Sequence, residues 1–440
     1  MSQPPPAPRR GVRGSAFAAR AFAMIEGGGL GRFLAAMGPT GFALGLQFLA
    51  FAITARGLGV EAFGQYAAIT ALAAIAVEFV GFGGADLLVR AVARDAGRFP
   101  GYFGNMLLLI AMTLVPVALV ALWIAIFSVQ STITVGLLAL ALLTEIMVGR
   151  VSSSVELAMV AHGHVFAASC VRVATAGTRL IAAALYFLLA SGLDGWIWVV
   201  ATQATLLSLA LLIVATRRYG RPAFRLQSGE FNTGFAFAVN QSARALQGNV
   251  DRVVLSRFAG DAALGTYAAG TRVMAIGVFP IQVMTRILYP EFFRRGAGGL
   301  AAARRYAVSK VPVMLATGLM SAGAVAAVAQ LLPFALGRDF AESRWVAMWL
   351  ALSLPLMCLQ YLAADALTGA GFQHVRAMIY AAASIGFAAV VATGARLGGV
   401  PGLIAAYLGA HALFAIILWA TAFLMRDGGE VERADLDEPA

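Results

Sequence analysis

The chain has 440 residues, 60% of them hydrophobic and only 12% charged, with a net charge of +11 and a mean hydropathy of +0.83. Soluble globular domains carry roughly a quarter of their residues as charges, so a water-soluble enzyme or binding module is excluded and an integral membrane protein is expected. The basic excess is spread through short connecting segments without a Lys/Arg-rich recognition run, which argues against nucleic acid as a partner and leaves membrane topology to explain it.

Residues 1–30 are rich in Pro, Gly and Arg and lack a continuous apolar core followed by a small-residue cleavage site, so no cleaved signal peptide is expected. Between 13 and 25, Arg13 and Arg20 stand among Phe17, Phe22, Met24 and Ile25. A short amphipathic helix on the membrane surface and a disordered tail both fit that pattern. GGGLGR at 27–32 lacks the Gly-Lys-Ser/Thr ending of a phosphate-binding loop and precedes an apolar span, not following a strand; it reads as a flexible start to the first helix. Neither a nucleotide site nor any other cofactor is expected.

Hydrophobic stretches then recur, each long enough to cross a hydrocarbon core of about 30 Å. They do not alternate at period two, so helices are predicted and not a barrel. Twelve spans fall near 33–56, 63–88, 101–127, 132–158, 165–190, 195–216, 232–257, 263–288, 311–334, 345–367, 375–396 and 401–425. The fourth is the least regular, interrupted by Arg150, Ser152, Ser153, Ser154 and Glu156. The predicted division is a cytoplasmic tail (1–30), a six-helix bundle (31–216), an Arg-rich cytoplasmic linker (217–231), a second six-helix bundle (232–426) and an acidic cytoplasmic tail (427–440). Cys170 and Cys358 both fall inside spans, so neither a disulfide framework nor a zinc cluster is read from them. His162 and His164 stand in a short loop without Cys or carboxylate at metal-site spacing, and a solvated loop is expected there.

Lys and Arg collect on one side: the N-terminal tail, the loop with Arg90, Arg94 and Arg98, the linker with Arg217, Arg218, Arg221 and Arg225, and the segment from Arg294 to Lys310. The other side holds Arg56, Arg257, Arg338, Arg344 and Arg396. The positive-inside rule therefore places both termini in the cytoplasm. The stretch ARGLGVEAFGQYAAIT at 55–70 is repeated as SRFAGDAALGTYAAGT at 256–271, in register at Arg56/Arg257, Gly59/Gly260, Gly64/Gly265, Tyr66/Tyr267 and Thr70/Thr271. An even number of crossings separates the copies, so the halves are parallel repeats about an axis along the membrane normal. Two like bundles that can rock around a site between them point to a transporter. Close helix packing, and not ligand contact, is expected of the repeated glycines and tyrosines.

The two copies, the first followed by LLVRAVARD and the second preceded by NVDRVVL and followed by YPEFFRR, resemble the polysaccharide (O-antigen type) flippase family of the multidrug/oligosaccharidyl-lipid/polysaccharide exporter superfamily. The resemblance runs from about residue 30 to 425 and is carried most specifically by Asp251, Arg252, Gly260, Gly265 and Tyr267. It implies a carrier of undecaprenyl-diphosphate-linked oligosaccharide, from the cytoplasmic to the periplasmic leaflet of the bacterial inner membrane. Polysaccharide polymerase or chain-length proteins would be its partners.

Independently of the resemblance, Arg150, Arg172, Arg179, Arg244, Arg252, Arg272 and Arg286 lie inside predicted spans. An Arg at the bilayer centre costs at least about 2.5–3.5 kcal/mol, so these side chains should face a hydrated cavity or meet carboxylates. Asn240, Arg244, Gln247 and Asp251 follow at intervals of four, three and four, which gathers them into one stripe on the seventh span. Arg172 and Arg179 do the same on the fifth, and Arg272 should lie near mid-depth of the eighth. Substrate binding is therefore assigned to Arg244, Arg179, Arg272, Arg172, Asn240 and Gln247. Structural alternatives stand beside that assignment: Arg252 and Arg286 near helix ends can snorkel to the headgroups, as can Arg172, and Arg150 can end a shorter span. Internal salt bridges with Glu78, Glu145, Asp251 or Asp365 would compete with ligand binding. A guanidinium fork matches two phosphate oxygens, which suits a diphosphate. With no nucleotide site, an ion gradient is the expected energy source, with Asp251 and Glu78 as its candidate coupling carboxylates.

The runner-up is a multidrug cation antiporter of the same superfamily, disfavoured because bases outnumber acids inside the spans. A membrane polysaccharide polymerase or ligase is weaker still: it needs catalytic groups on a substantial outer loop, and the longest outer loop here is around 337–346.

Overall fold

The computed structural model describes residues 29–129, 133–227, 229 and 231–425. The segment 13–25 and the tail from 427 onward lie outside the described residues. All regular structure within them is helical, as a bilayer requires of a chain that must satisfy its backbone polar groups internally. The long helices are α1 (Gly29–Ala76), α2 (Gly84–Arg94), α3 (Phe99–Ser128), α4 (Val135–Ala161), α5 (Val165–Leu189), α6 (Gly192–Tyr219), α7 (Phe231–Phe258), α8 (Asp261–Gly296) and α9 (Leu300–Ala329). After the short α10 (Leu332–Leu336) come α11 (Ser343–Ala351), α12 (Ser353–Gly369) and α13 (Gln373–Leu424).

Two of these are hairpins. Helix α1 turns back at Gly59, whose φ of 76° and ψ of 171° are open to glycine, so that Phe51 and Phe63 meet with ring centroids 5.4 Å apart. Helix α13 turns back at Gly398 and Gly399, where a Cβ on Gly394 would stand 2.5 Å from the Gly402 carbonyl oxygen. Nine helical stretches among the described residues are long and apolar enough to cross a membrane. Counting both arms of each hairpin, and adding α7, whose polar residues lower its hydropathy, gives the twelve expected crossings. Gly260, between α7 and α8, has φ 78° and ψ 165°, almost the values of Gly59. The sequence repeat is thus a repeated backbone turn.

Three predicted spans differ in detail. The second, read as continuous over 63–88, is interrupted at 77–83 by a 3-10 turn and three positive-φ residues, Gly81, Phe82 and Gly83. The fourth, read as interrupted, is an unbroken helix because its polar residues turn inward: Arg150 is 6% exposed and Ser154 1%. Arg150 is therefore mid-helix, and not at the end of a shorter span. The ninth begins at Leu300 and not near 311, carrying Arg304, Arg305 and Lys310 on its first turns.

The halves meet most closely where the two copies of the repeat cross. A methyl on Gly64 would land on the Asp261 carbonyl oxygen, and one on Gly265 on that of Val60. Small residues allow such backbone approach between membrane helices. Around this contact Gln65 Nε2 donates to Asp261 Oδ2 at 2.7 Å, Arg56 Nη2 donates to the Phe334 carbonyl at 2.8 Å, and the Phe63 and Phe340 rings stand 5.9 Å apart. At the opposite end the linker after α6 is held against the first half: Ala223 N donates to the Pro100 carbonyl at 2.8 Å and Gln227 N to Asn105 Oδ1 at 2.9 Å. A methyl on Gly83 would land on the Gly234 carbonyl oxygen at the start of α7.

Candidate functional site

Below the crossing of the repeats, toward the linker end, a cavity of about 530 Å³ lies between the halves. The second arm of α1 and the turn after it supply Thr70 and Glu78, α4 supplies Glu145, and α7 supplies Gln241, Arg244 and Asn249. Arg244 is exposed to this space and has no ion pair or hydrogen bond among the described residues. Arg272 of α8 is likewise exposed and unpaired among them, and lies within electrostatic reach of Tyr66, Glu145 and Arg179, all of the other half.

The remaining intramembrane arginines, Arg286 excepted, are engaged. Arg179 Nη2 donates to both oxygens of Glu145 at 2.7 Å, and Tyr66 Oη donates to Glu145 Oε1 at 2.6 Å. Arg172 is bonded to Glu156, and both line a second cavity of about 330 Å³ whose far wall, on α8, includes Arg286. Arg286 has no partner among the described residues. Arg150 Nη1 stands 4.0 Å from Glu78 Oε2. Arg252 is engaged on its own helix, with Nη2 donating to the Gly248 carbonyl at 2.9 Å and to Asn249 Oδ1 at 2.7 Å and Nε 3.8 Å from Asp251 Oδ1.

The predicted stripe on α7 meets the cavity only at its edge. The cavity face is 241, 244, 245 and 249. Gln247 lines a separate apolar cavity against Ile379 and Phe414 of α13. Asp251 is 4% exposed and accepts from Tyr267 Oη at 2.7 Å inside the second half. Asn240 lies on α7 one turn before Arg244, but its side chain falls outside the described residues. Periodicity gathers these positions on one side of α7 but does not tell which neighbour each of them meets. Glu145 was legible only as an intramembrane carboxylate, and Gln241 and Asn249 carried no signal at all.

Both repeated tyrosines are buried, at 8% and 0% exposure. His162 and His164 lie in the turn between α4 and α5, as expected, with His164 exposed, and they flank Tyr219 at the end of α6: the His162 ring stacks on it at 4.1 Å and His164 Nδ1 lies 2.8 Å from Tyr219 Oη. Among the described residues no group of three or more His, Cys, Asp or Glu is placed to hold a metal ion.

A family model described as polysaccharide biosynthesis protein matches residues 34–295. No curated protein matches the chain in a sequence comparison. Among solved structures, the lipid II flippase MurJ in an inward closed conformation is 11% identical, with a TM-score of 0.67 over 88% of this chain and 87% of that one. The MATE multidrug transporter DinF-BH is 15% identical, with a TM-score of 0.61 over 90% of this chain and 94% of that one. A MOP-superfamily transporter from Pyrococcus furiosus, described as having a binding pocket of reverse polarity, is 16% identical, with a TM-score of 0.56 over 89% of this chain and 92% of that one. At these identities the likeness establishes a shared fold, that of the MOP-superfamily transporters.

Proposed function

Because the chain belongs to the polysaccharide biosynthesis protein family and has the MOP-superfamily transporter fold, we propose that it is a flippase for an undecaprenyl-diphosphate-linked oligosaccharide. It would move this lipid from the cytoplasmic to the periplasmic leaflet of a bacterial inner membrane by ion-coupled alternating access. The observation that supports this reading best is the pair of guanidinium groups without a partner among the described residues, Arg244 and Arg272, on the two long helices of the second half that pack against the first. A guanidinium held unpaired at membrane depth is costly, and a diphosphate offers charge and fork-matched oxygens to both. In this reading Arg179 joins them through Glu145, which lines the cavity, Arg172 and Arg286 flank the second cavity between the halves, and Asn240, one turn from Arg244 on the same helix, stays a proposed binding residue. Gln247 and Asp251 face elsewhere and are left out of the site. Glu78, which lines the cavity, is the candidate for coupling to protons or sodium. The Arg excess on the linker side makes that side cytoplasmic.

The carboxylates of Glu78 and Glu145 in the same cavity favour a second reading, a multidrug cation antiporter. Each has an arginine partner, however, and Arg244 and Arg272 remain in excess, which suits an anion. The test is surface glycan display in a strain carrying Arg244→Ala together with Arg272→Ala. Display should fall by at least about ten-fold, equivalent to about 1.4 kcal/mol, with unchanged accumulation in the membrane. Full display, or extrusion of a fluorescent organic cation that persists unchanged in wild type and variant, would overturn the assignment.

A further inference from the structure

Arg179 does not stand ready for a ligand. Its Nη2 is held by both oxygens of Glu145, and Tyr66 holds Glu145 Oε1 from the other side. Arg179 Nη1, by contrast, is buried with no hydrogen-bond partner among the described residues. Glu145 also lines the 530 Å³ cavity beside Arg244, and Arg272 lies within electrostatic reach of it from the second half. One carboxylate at the wall of a cavity between two halves thus pairs with Arg179, shares that cavity with Arg244 and lies within electrostatic reach of Arg272. To Arg179 a carboxylate offers what a phosphate group offers: two acceptor oxygens that match a guanidinium fork.

We propose that Glu145 is the internal counter-anion of the cavity: a phosphorylated headgroup competes with it for Arg179, and Glu145 sets how tightly that headgroup is held and how readily it leaves. This deepens the flippase reading and rests on it. The strength of the Arg179–Glu145 pair is subtracted from the affinity for the ligand, since one must break before the other forms. Tyr66 acts through Glu145, fixing it on Arg179, and is a positioning residue. A carrier gains from such competition, because a headgroup bound too tightly lowers the release rate as it raises the occupancy.

The test uses the full chain in lipid nanodiscs, titrated with farnesyl diphosphate and, as the uncharged control, farnesol. Glu145→Gln removes the charge and keeps the shape, and should tighten farnesyl diphosphate binding about ten-fold, in the range of coupling found for close charge pairs. Transport by this variant should slow. Tyr66→Phe keeps the ion pair and loosens its hold, and should tighten binding by about two-fold, the smaller change expected of one hydrogen bond. Glu145→Gln combined with Arg179→Ala should lose the gain. Unchanged or weaker binding in both Glu145→Gln and Tyr66→Phe, with wild type binding measurably, would overturn the counter-anion role alone. If wild type and every variant bind farnesyl diphosphate no better than farnesol, the flippase reading falls and the counter-anion role with it. Should Glu145→Gln fail to fold, the Tyr66→Phe titration decides by itself.

Discussion

In the first copy of the repeat, Tyr66 donates to Glu145 of α4, whose other partner is Arg179 of α5. In the second copy, Tyr267 donates to Asp251 of α7, the helix immediately before its own. The backbones that carry the two tyrosines are the same, with Gly59 and Gly260 in nearly identical conformations and Gly64 and Gly265 pressed against one another's halves. What differs is where the carboxylate comes from. Glu145 lies at the cavity wall, whereas Asp251 is sealed in the second half, within electrostatic reach of Tyr407. A duplicated element has thus kept its packing role in both places, while the polar group beside its phenol serves the cavity in one half and the core in the other.

Substitutions in the two copies put this contrast to the test. The largest effect is expected where the copies are equivalent. Gly64→Leu and Gly265→Leu each drive a side chain into a facing carbonyl, and overpacking of that kind costs about 1–3 kcal/mol or more. Both should reduce glycan display to a similar and severe degree, and tolerance of one with loss of the other would show that the crossing is not symmetric in function. Next comes Asp251→Ala, which leaves the buried Tyr267 hydroxyl unpaired. It should lower stability by about 1–3 kcal/mol, read as an earlier unfolding midpoint in detergent, without tightening farnesyl diphosphate binding in the folded fraction. A gain in affinity there would mean that Asp251, too, acts on the ligand. Tyr267→Phe should cost about 1.5 kcal/mol, the lower end for a hydrogen bond to a charged group, and Tyr66→Phe less, since Glu145 keeps Arg179. Equal losses would erase the distinction between the two carboxylates. The smallest effect is expected from Gln65→Ala, which removes one hydrogen bond to Asp261 at the crossing and should cost about 1 kcal/mol or less.

Much of this architecture was legible in the residues. Runs of apolar residues locate the crossings because nothing else satisfies the bilayer, and the Gly and Tyr positions shared by 55–70 and 256–271 marked a turn that the structure repeats almost degree for degree. Arg244 was expected to face a cavity and lines the one between the halves, whereas Arg272 is not among the residues that line it and lies within electrostatic reach of Tyr66, Glu145 and Arg179. Rotation of α7 about its axis was not legible: 240, 244, 247 and 251 do share a face, but α13 and α8 claim Gln247 and Asp251. The continuity of α4 was hidden for a related reason, since polar residues such as Arg150 and Ser154 break a hydropathy profile even when they point into the protein. Pairings such as Arg179 with Glu145 join residues on different helices, and spacing along one chain segment has no access to them.

The interruption at 77–83 has a mechanical consequence. Gly81, Phe82 and Gly83 all take positive φ, and Gly81 N is anchored by the Thr113 hydroxyl at 2.8 Å instead of by the carbonyl one turn earlier. On one side of this stretch lies a rod clamped to α8 through Gly64; on the other, α2 is packed against α3 and α4. A straight helix would carry any tilt of its outer end along its full length. An articulated one leaves the tilt of the rod against α8 uncoupled from that of α2, since a few dihedral angles at the break can take up the difference.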